Sequence, residues 1–297
     1  MPTADIHESV FCYRAVPSGR VPLEDDPEPM VQQQLARLHF FQRQVGSLGR
    51  RVLDWGCGSG FNCSWLLLEG GAAEVAGFDL SPDAVALARH AYPDVEFVVA
   101  DACDPGLQLR PGKWDRILSC EVLEHVPDMA AFLANLRRHL DPDGVAYVTT
   151  PNRLVFSLGH EPSPVNKEHI KELTLEEFRA LLRPYFSQCE IYGQRFKDPA
   201  LLADWQADVR RKIDLCAQGR RWQQKPTLRS RLRRWPLVNW AYNVSLLRGV
   251  WRAVRWGLVP RLRDWLRPPR RIYHWRDFEF VSDDLSDAVW FCAILRP

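Results

Sequence analysis

Three glycines at alternate positions, Gly56, Gly58 and Gly60, follow an acid, Asp54, that ends the apolar run Val52-Leu53. Such a turn lets a ligand approach the backbone, because no side chain stands in its way. In a parallel α/β sheet the crevice outside the carboxyl end of a strand takes a nucleotide-like ligand. The rhythm here is D-x-G-x-G-x-G, which differs from the G-x-G-x-x-G of dinucleotide turns, and no G-x-x-x-x-G-K-[ST] phosphate loop occurs. A second run, Glu74-Val-Ala-Gly-Phe-Asp79, ends in an acid nineteen residues beyond Gly60, where a carboxylate can accept both hydroxyls of a ribose.

Proton chemistry has its own candidates. Cys120-Glu121-Val122-Leu123-Glu124-His125 follows the run Arg116 to Ser119. If a helix begins there, Glu121, Glu124 and His125 stand at i, i+3 and i+4 and converge on one face. A polar loop over residues 153–171 adds His160, Asn166 and His169.

The elements that must hold these residues follow from pattern. Apolar runs at 52–55, 74–79, 95–100, 116–119 and 145–150 read as five strands, the last preceded by the turn Asp141-Pro142-Asp143-Gly144. Ser81-Pro82 is a helix cap with proline at the first helical position, and Thr174-Leu-Glu-Glu177 is a capping box. Val31, Leu35, Leu38, Phe41 and Val45 share one helical face over 30–45. Cys189 to Tyr192 reads as a sixth strand and Ala288 to Leu295 as a seventh, antiparallel one. The expected organisation is an arm and first helix over 1–47, a core over 48–195 and 286–297, and an insertion over 196–285 between strands six and seven.

The insertion opens with Leu202, Trp205, Val209, Ile213 and Cys216 at helical spacing. Between Arg220 and Arg271 it then carries fourteen arginines and Lys225 against one acid, Asp264, together with six of the twelve tryptophans, in a chain of net charge +2. Leu247, Val250, Trp251, Val254 and Leu258 share a helical face away from Arg248, Arg252 and Arg255, as in a cationic amphipathic helix over 246–258. Three readings are open: packing on the core with solvated arginines, an anionic membrane surface met through residues 229–267, or nucleic acid. The membrane surface is the reading adopted. The longest uncharged run, Trp235 to Leu247, is too short to span a bilayer.

With D-x-G-x-G-x-G, Asp79, Asp101 and the 120–125 segment in order, the chain resembles the class I S-adenosylmethionine-dependent methyltransferases. The resemblance implies an α/β fold, a Rossmann-like sheet of seven strands, mostly parallel with the last antiparallel, and S-adenosyl-L-methionine as cofactor. It implies cofactor contacts at Asp54, Gly56, Cys57, Gly58, Gly60, Asp79, Leu80, Asp101, Ala102 and Cys120, with Asp101 near the adenine amino group. Residues after the fourth strand face the methyl group, so Glu121 and His125, with His169 from the loop after the fifth strand, are the expected catalytic residues. Glu121-x-x-Glu124-His125 is similar to ubiquinone-pathway O-methyltransferases, where these positions are linked to a divalent metal. No metal is assigned here, because the same segment occurs in metal-free subgroups. The run Asn166 to Thr174, with Tyr13 and Pro17, resembles methyltransferases associated with bacterial cell-surface polysaccharide synthesis. The implied acceptor is a glycan, a lipid-linked saccharide or another small molecule; a soluble secondary metabolite is one alternative.

Nucleic acid is the other. Ser119-Cys120-Glu121-Val122 stands where enzymes acting on exocyclic base amines carry an Asn/Asp-Pro-Pro-Tyr/Phe turn, which disfavours adenine or cytosine N-methylation. The eight cysteines form no C-x-x-C pair, and the first ten residues lack a basic and apolar leader. A cytoplasmic protein, peripheral on the inner membrane face, is the expectation.

Overall fold

The computed structural model describes residues 29–109, 112–218 and 274–297. The arm over 1–28, with Tyr13 and Pro17, and the basic stretch over 219–273 lie outside them. The strands are β1 (Arg51–Trp55), β2 (Glu74–Asp79), β3 (Glu96–Val99), β4 (Trp114–Cys120), β5 (Leu140–Pro151), β6 (Gln188–Phe196), β7 (Phe278–Val281) and β8 (Trp290–Arg296). They form one sheet in the order β3-β2-β1-β4-β5-β8-β6-β7. Neighbours from β3 to β5 are parallel, whereas β8 runs antiparallel to β5 and β6, and β7 antiparallel to β6. This is the expected Rossmann-like α/β fold with its C-terminal strand inserted antiparallel.

The sheet has one strand more than expected. Phe278–Val281 pairs with Gly193 to Phe196 at the edge, inside the stretch assigned to the insertion. Four residues make a weak alternating pattern, and here the adjacent β6 backbone supplies the pairing. Asp141 to Gly144, expected as a free turn, lies within β5 opposite the irregularity between Trp114 and Arg116.

Among the described residues the α-helices are α1 (Pro29–Gln44), α2 (Phe61–Leu68), α3 (Pro82–Ala91), α4 (Met129–His139), α5 (Arg153–Phe156), α6 (Leu175–Leu182) and α7 (Pro199–Ala217). Leu35, Leu38 and Phe41 of α1 pack with Leu66, Val85 and Ala88 in one buried cluster. Phe132, Leu136, Phe178 and Leu182, from α4 and α6, pack with Trp55 and Ile117 in a second. The expected caps form: Ser81 Oγ accepts the Ala84 N–H, and Thr174 with Glu177 completes a reciprocal capping box. Helix α1 is buried beyond its apolar stripe, since Gln32, Gln33, Gln34 and Arg37 are enclosed as well. None of the described helices is long and apolar enough to cross a membrane.

Candidate active site

The strand order reverses between β1 and β4, and their carboxyl ends open a crevice where ligands bind in such sheets. Gly56, Gly58 and Gly60 all take positive φ, at 83°, 52° and 84°. Two of them are also packed. A Cβ on Gly56 would stand 2.6 Å from Val122, and one on Gly60 would stand 2.8 Å from Phe97. Gly58 has nothing within 4 Å of that position, so it forms the open side of the turn.

Asp79 stands beside this opening. One carboxylate oxygen accepts the Gly58 N–H at 2.8 Å and the other the Ser81 N–H at 2.9 Å. The carboxylate is thereby held toward the turn with lone pairs to spare, which fits the diol of a ribose. Asp101 is exposed and accepts the Cys103 N–H, Ala102 is buried behind it, and Leu80 is 67% exposed.

Asp54, also expected to meet the cofactor, differs from Asp79 and Asp101 in its burial. It is fully enclosed beneath the turn and reaches Asn62 Nδ2 at 3.3 Å and Cys63 Sγ at 3.5 Å. Burial pushes its carboxyl up to about 7, opposed by those two bonds and aided by Asp79. It supports the turn from below. Burial also raises the thiols of Cys57 and Cys120. Neither is a thiolate nucleophile at neutral pH.

The segment after β4 does not start a regular helix. Leu123–His125 is a single 3-10 turn, and Glu121 before it has φ 57°, a left-handed conformation rare outside glycine. Glu121 therefore leaves the face on which it was expected to meet Glu124 and His125. Its carboxylate accepts the Thr149 hydroxyl at 2.9 Å and lies 3.5 Å from Arg37.

The loop after β5 supplies the missing member instead. Ile170 N–H donates to the Glu124 carbonyl at 2.8 Å and carries His169 to the motif. Nε2 of His125 and Nε2 of His169 each lie 4.0 Å from Glu124 Oε1. Both imidazoles are held from behind: His125 Nδ1 by the Glu168 carbonyl at 3.1 Å, His169 Nδ1 by Glu172 Oε1 at 2.7 Å. A carbonyl can only accept, so the His125 proton sits on Nδ1 and Nε2 is a bare base. Burial holds the His125 imidazole below its usual range, with His169 acting in the same direction. Burial pushes Glu124 well above the usual carboxylate range, and Glu121 adds to this. Glu124 Oε1 is buried and unpartnered. One ligand atom from each of Glu124, His125 and His169 lies within 4.8 Å of the others, an arrangement able to hold a divalent cation. Glu172 was not foreseen, although its spacing from His169 was readable. His160 stays on the surface, bonded to the Leu158 carbonyl.

Residues 53–148 match the family model described as a methyltransferase domain. The chain is 36% identical over 133 residues to a Mycobacterium tuberculosis protein named "Probable S-adenosylmethionine-dependent methyltransferase", covering 45% of this chain and 47% of that one. It is 31% identical over 151 residues to the ubiquinone biosynthesis O-methyltransferase of Pectobacterium carotovorum, covering 50% and 62%. The chain thus spans about half the length of the curated relatives it matches. Among solved structures, phosphoethanolamine N-methyltransferase 2 of Haemonchus contortus superposes with TM-score 0.50 at 18% identity, covering 89% of this chain and 52% of that one. That likeness concerns the fold. It agrees with the Rossmann-like sheet described above.

Proposed function

We propose that the chain methylates an oxygen of a small acceptor, with Asp79 and the open Gly58 turn holding the cofactor and His125 serving as acceptor-side base. S-adenosylmethionine supplies a methyl group already activated by its sulfonium, so the protein has to position it and provide a competent nucleophile. As the acceptor oxygen bonds to the methyl carbon and the carbon–sulfur bond breaks, His125 Nε2 takes the hydroxyl proton. The observation that carries this reading is the Nδ1–H contact to the Glu168 carbonyl, which leaves Nε2 bare. Asp101 and Ala102 would border the adenine, with Cys120 and Leu80 flanking the crevice.

The acceptor we favour is a glycan or lipid-linked saccharide. Support comes from the loop ending Asn166 to Thr174 and from the basic stretch over 229–267, which suits an anionic membrane surface. Nucleic acid is the alternative partner of those arginines. The seven described cysteines are free thiols, which fits a reducing, cytoplasmic setting.

A second reading is favoured by the unpartnered Glu124 Oε1. In it, Glu124, His125 and His169 hold a divalent cation that binds the acceptor oxygen, and His125 is a ligand, not a base.

The test of the first reading is calorimetric binding of S-adenosylmethionine to the parent and to Asp79→Asn, followed by a screen of hydroxylated acceptors with labelled methyl donor. Asp79→Asn should weaken binding about tenfold, the loss of a charge-assisted bond. A parent that binds no S-adenosylmethionine refutes the site.

A further inference from the structure

A cleft of about 300 Å³ lies between α1 and the edge strand β7. Arg43 of α1, Lys197 just past β6 and Arg276 just before β7 line it, and all three are exposed. Among the described residues none of the three is paired with an acid. Glu279, an acid on the same wall, is committed to Arg195 at 2.7 Å. Cations gathered without counter-ions repel one another, so an anion entering the cleft is attracted by all three at once.

The walls are fixed and partly aromatic. Gln32 Oε1 of α1 accepts the Trp275 N–H at 2.8 Å, the Lys197 N–H donates to the Asp277 carbonyl at 2.8 Å, and Phe280 stacks on Phe40 with ring centroids 4.0 Å apart. Trp275 is half-buried, with the Arg276 guanidinium 4.8 Å over its ring. Cations beside a half-buried tryptophan suit a boundary that is wet on one side and apolar on the other. The cleft also has a definite place in the sheet. Strands β5 and β6 both run antiparallel to β8, so Lys197, which follows the last residue of β6, stands at the end of the sheet that carries the crevice. Arg276 stands there too, since Phe278 of β7 pairs with Phe196. In sequence, the stretch with fourteen arginines between Arg220 and Arg271 leads straight to His274 and Trp275.

We propose that this cleft is a membrane-surface site in which Arg43, Lys197 and Arg276 meet the phosphates of anionic phospholipid head groups and Trp275 meets the boundary beneath them. The inference rests on the membrane reading of the basic stretch and adds to it a folded site on the methyl-transferring part of the chain. It gives that contact a use, because head groups held at Lys197 and Arg276 bring the leaflet to the end of the sheet where a lipid-linked acceptor has to enter. Nucleic acid also pairs cations with aromatic rings. A protein that tracks a single strand follows about four or more nucleotides, which three cations around one cleft do not reach.

The experiment is co-sedimentation of the full chain with phosphatidylglycerol and phosphatidylcholine vesicles at physiological salt. It compares the parent, the triple variant Arg43→Gln/Lys197→Gln/Arg276→Gln, its three single variants and Leu247→Glu/Trp251→Glu, with melting and calorimetric S-adenosylmethionine binding of each. Every charge removed from the cleft should lower partition onto phosphatidylglycerol about fivefold, and the triple variant should lose on the order of a hundredfold. Its melting temperature, its cofactor affinity and its weak partition onto phosphatidylcholine should stay parental. The single variants are read in its place if the triple variant does not fold. A triple variant that sediments like the parent, while Leu247→Glu/Trp251→Glu no longer sediments, overturns the cleft and leaves the membrane reading standing. A parent that ignores both kinds of vesicle overturns the two together. Loss of RNA or DNA binding in the triple variant with parental vesicle binding would assign the cleft to nucleic acid and overturn the proposal.

Discussion

His125 and His169 face each other edge to face, their ring centroids 4.8 Å apart and their planes at 82°, with both Nε2 atoms 4.0 Å from Glu124 Oε1. The pair joins the segment after β4 to the loop after β5. The His169 side chain is nearly closed off, with 4% exposed, and that of His125 is 31% exposed, so His125 is the more open of the two to solvent.

His125→Ala should lower turnover by about 10² to 10⁴ while leaving S-adenosylmethionine affinity unchanged, as general-base removal does. Turnover of the parent should survive a strong chelator. The metal reading expects the opposite: chelator-sensitive turnover, and a rise in melting temperature with Mg²⁺, Mn²⁺ or Zn²⁺ that Glu124→Gln or His169→Ala abolishes.

The glycines of the turn should separate folding from binding. Gly60→Ala puts a methyl group 2.8 Å from Phe97 and 3.0 Å from Tyr92, so it should cost about 1 to 3 kcal/mol of stability in urea titrations. Gly58→Ala meets no neighbour and bears only the left-handed backbone cost, about 1 to 2 kcal/mol. Its methyl group would stand on the open side of the turn, where the proposal places the cofactor, so it should reduce cofactor affinity more than Gly60→Ala does. Equal affinity for parent and Gly58→Ala would move the ligand away from this turn.

Much of this was legible because strand ends and caps are local. D-x-G-x-G-x-G, Asp79 and the Thr174 capping box are written in consecutive residues, and the structure places each at its expected strand end or helix start. The pairing of His169 with Glu124 and His125 was not, because it depends on how the loop after β5 folds back, a long-range contact with no periodic signal. Glu121 was misplaced for a related reason. Its helical spacing is sound, but the backbone turns left-handed where β4 ends. Arg37 was passed over because an apolar stripe marks only one face of α1, and the buried polar face becomes visible once β6 and β8 close over it. Strand β7 is too short to announce itself.

Asp54 gives a prediction in pH. Its carboxyl rises from an ordinary 3.8 to about 7 in the folded chain, chiefly through burial. Between those values the folded state binds the proton that the unfolded state has released. Its stabilising contribution is therefore full below about pH 4 and is lost as pH rises toward 7, on the order of a few kcal/mol across the window. Asp54→Asn stays neutral throughout, so the difference in unfolding free energy between parent and variant should narrow or reverse on going from pH 5 to pH 7.5. A difference independent of pH would show that Asp54 ionises normally in the fold.

The basic stretch over 219–273 lies outside the described residues, and its arginines and tryptophans make the final prediction. If residues 246–258 form the amphipathic helix that their spacing predicts, Leu247, Val250, Trp251, Val254 and Leu258 enter the interface while Arg248, Arg252 and Arg255 meet anionic head groups, each contributing about 1 kcal/mol. The purified chain should sediment with phosphatidylglycerol vesicles, less with phosphatidylcholine vesicles, and less again at high salt. Leu247→Glu with Trp251→Glu should abolish sedimentation without changing S-adenosylmethionine affinity. A double variant that melts early, together with a parent that ignores vesicles, would instead assign those residues to packing. Tight, strongly salt-dependent binding of RNA or DNA without vesicle binding would move the acceptor toward nucleic acid, because neutralised phosphates release counterions in proportion to their number.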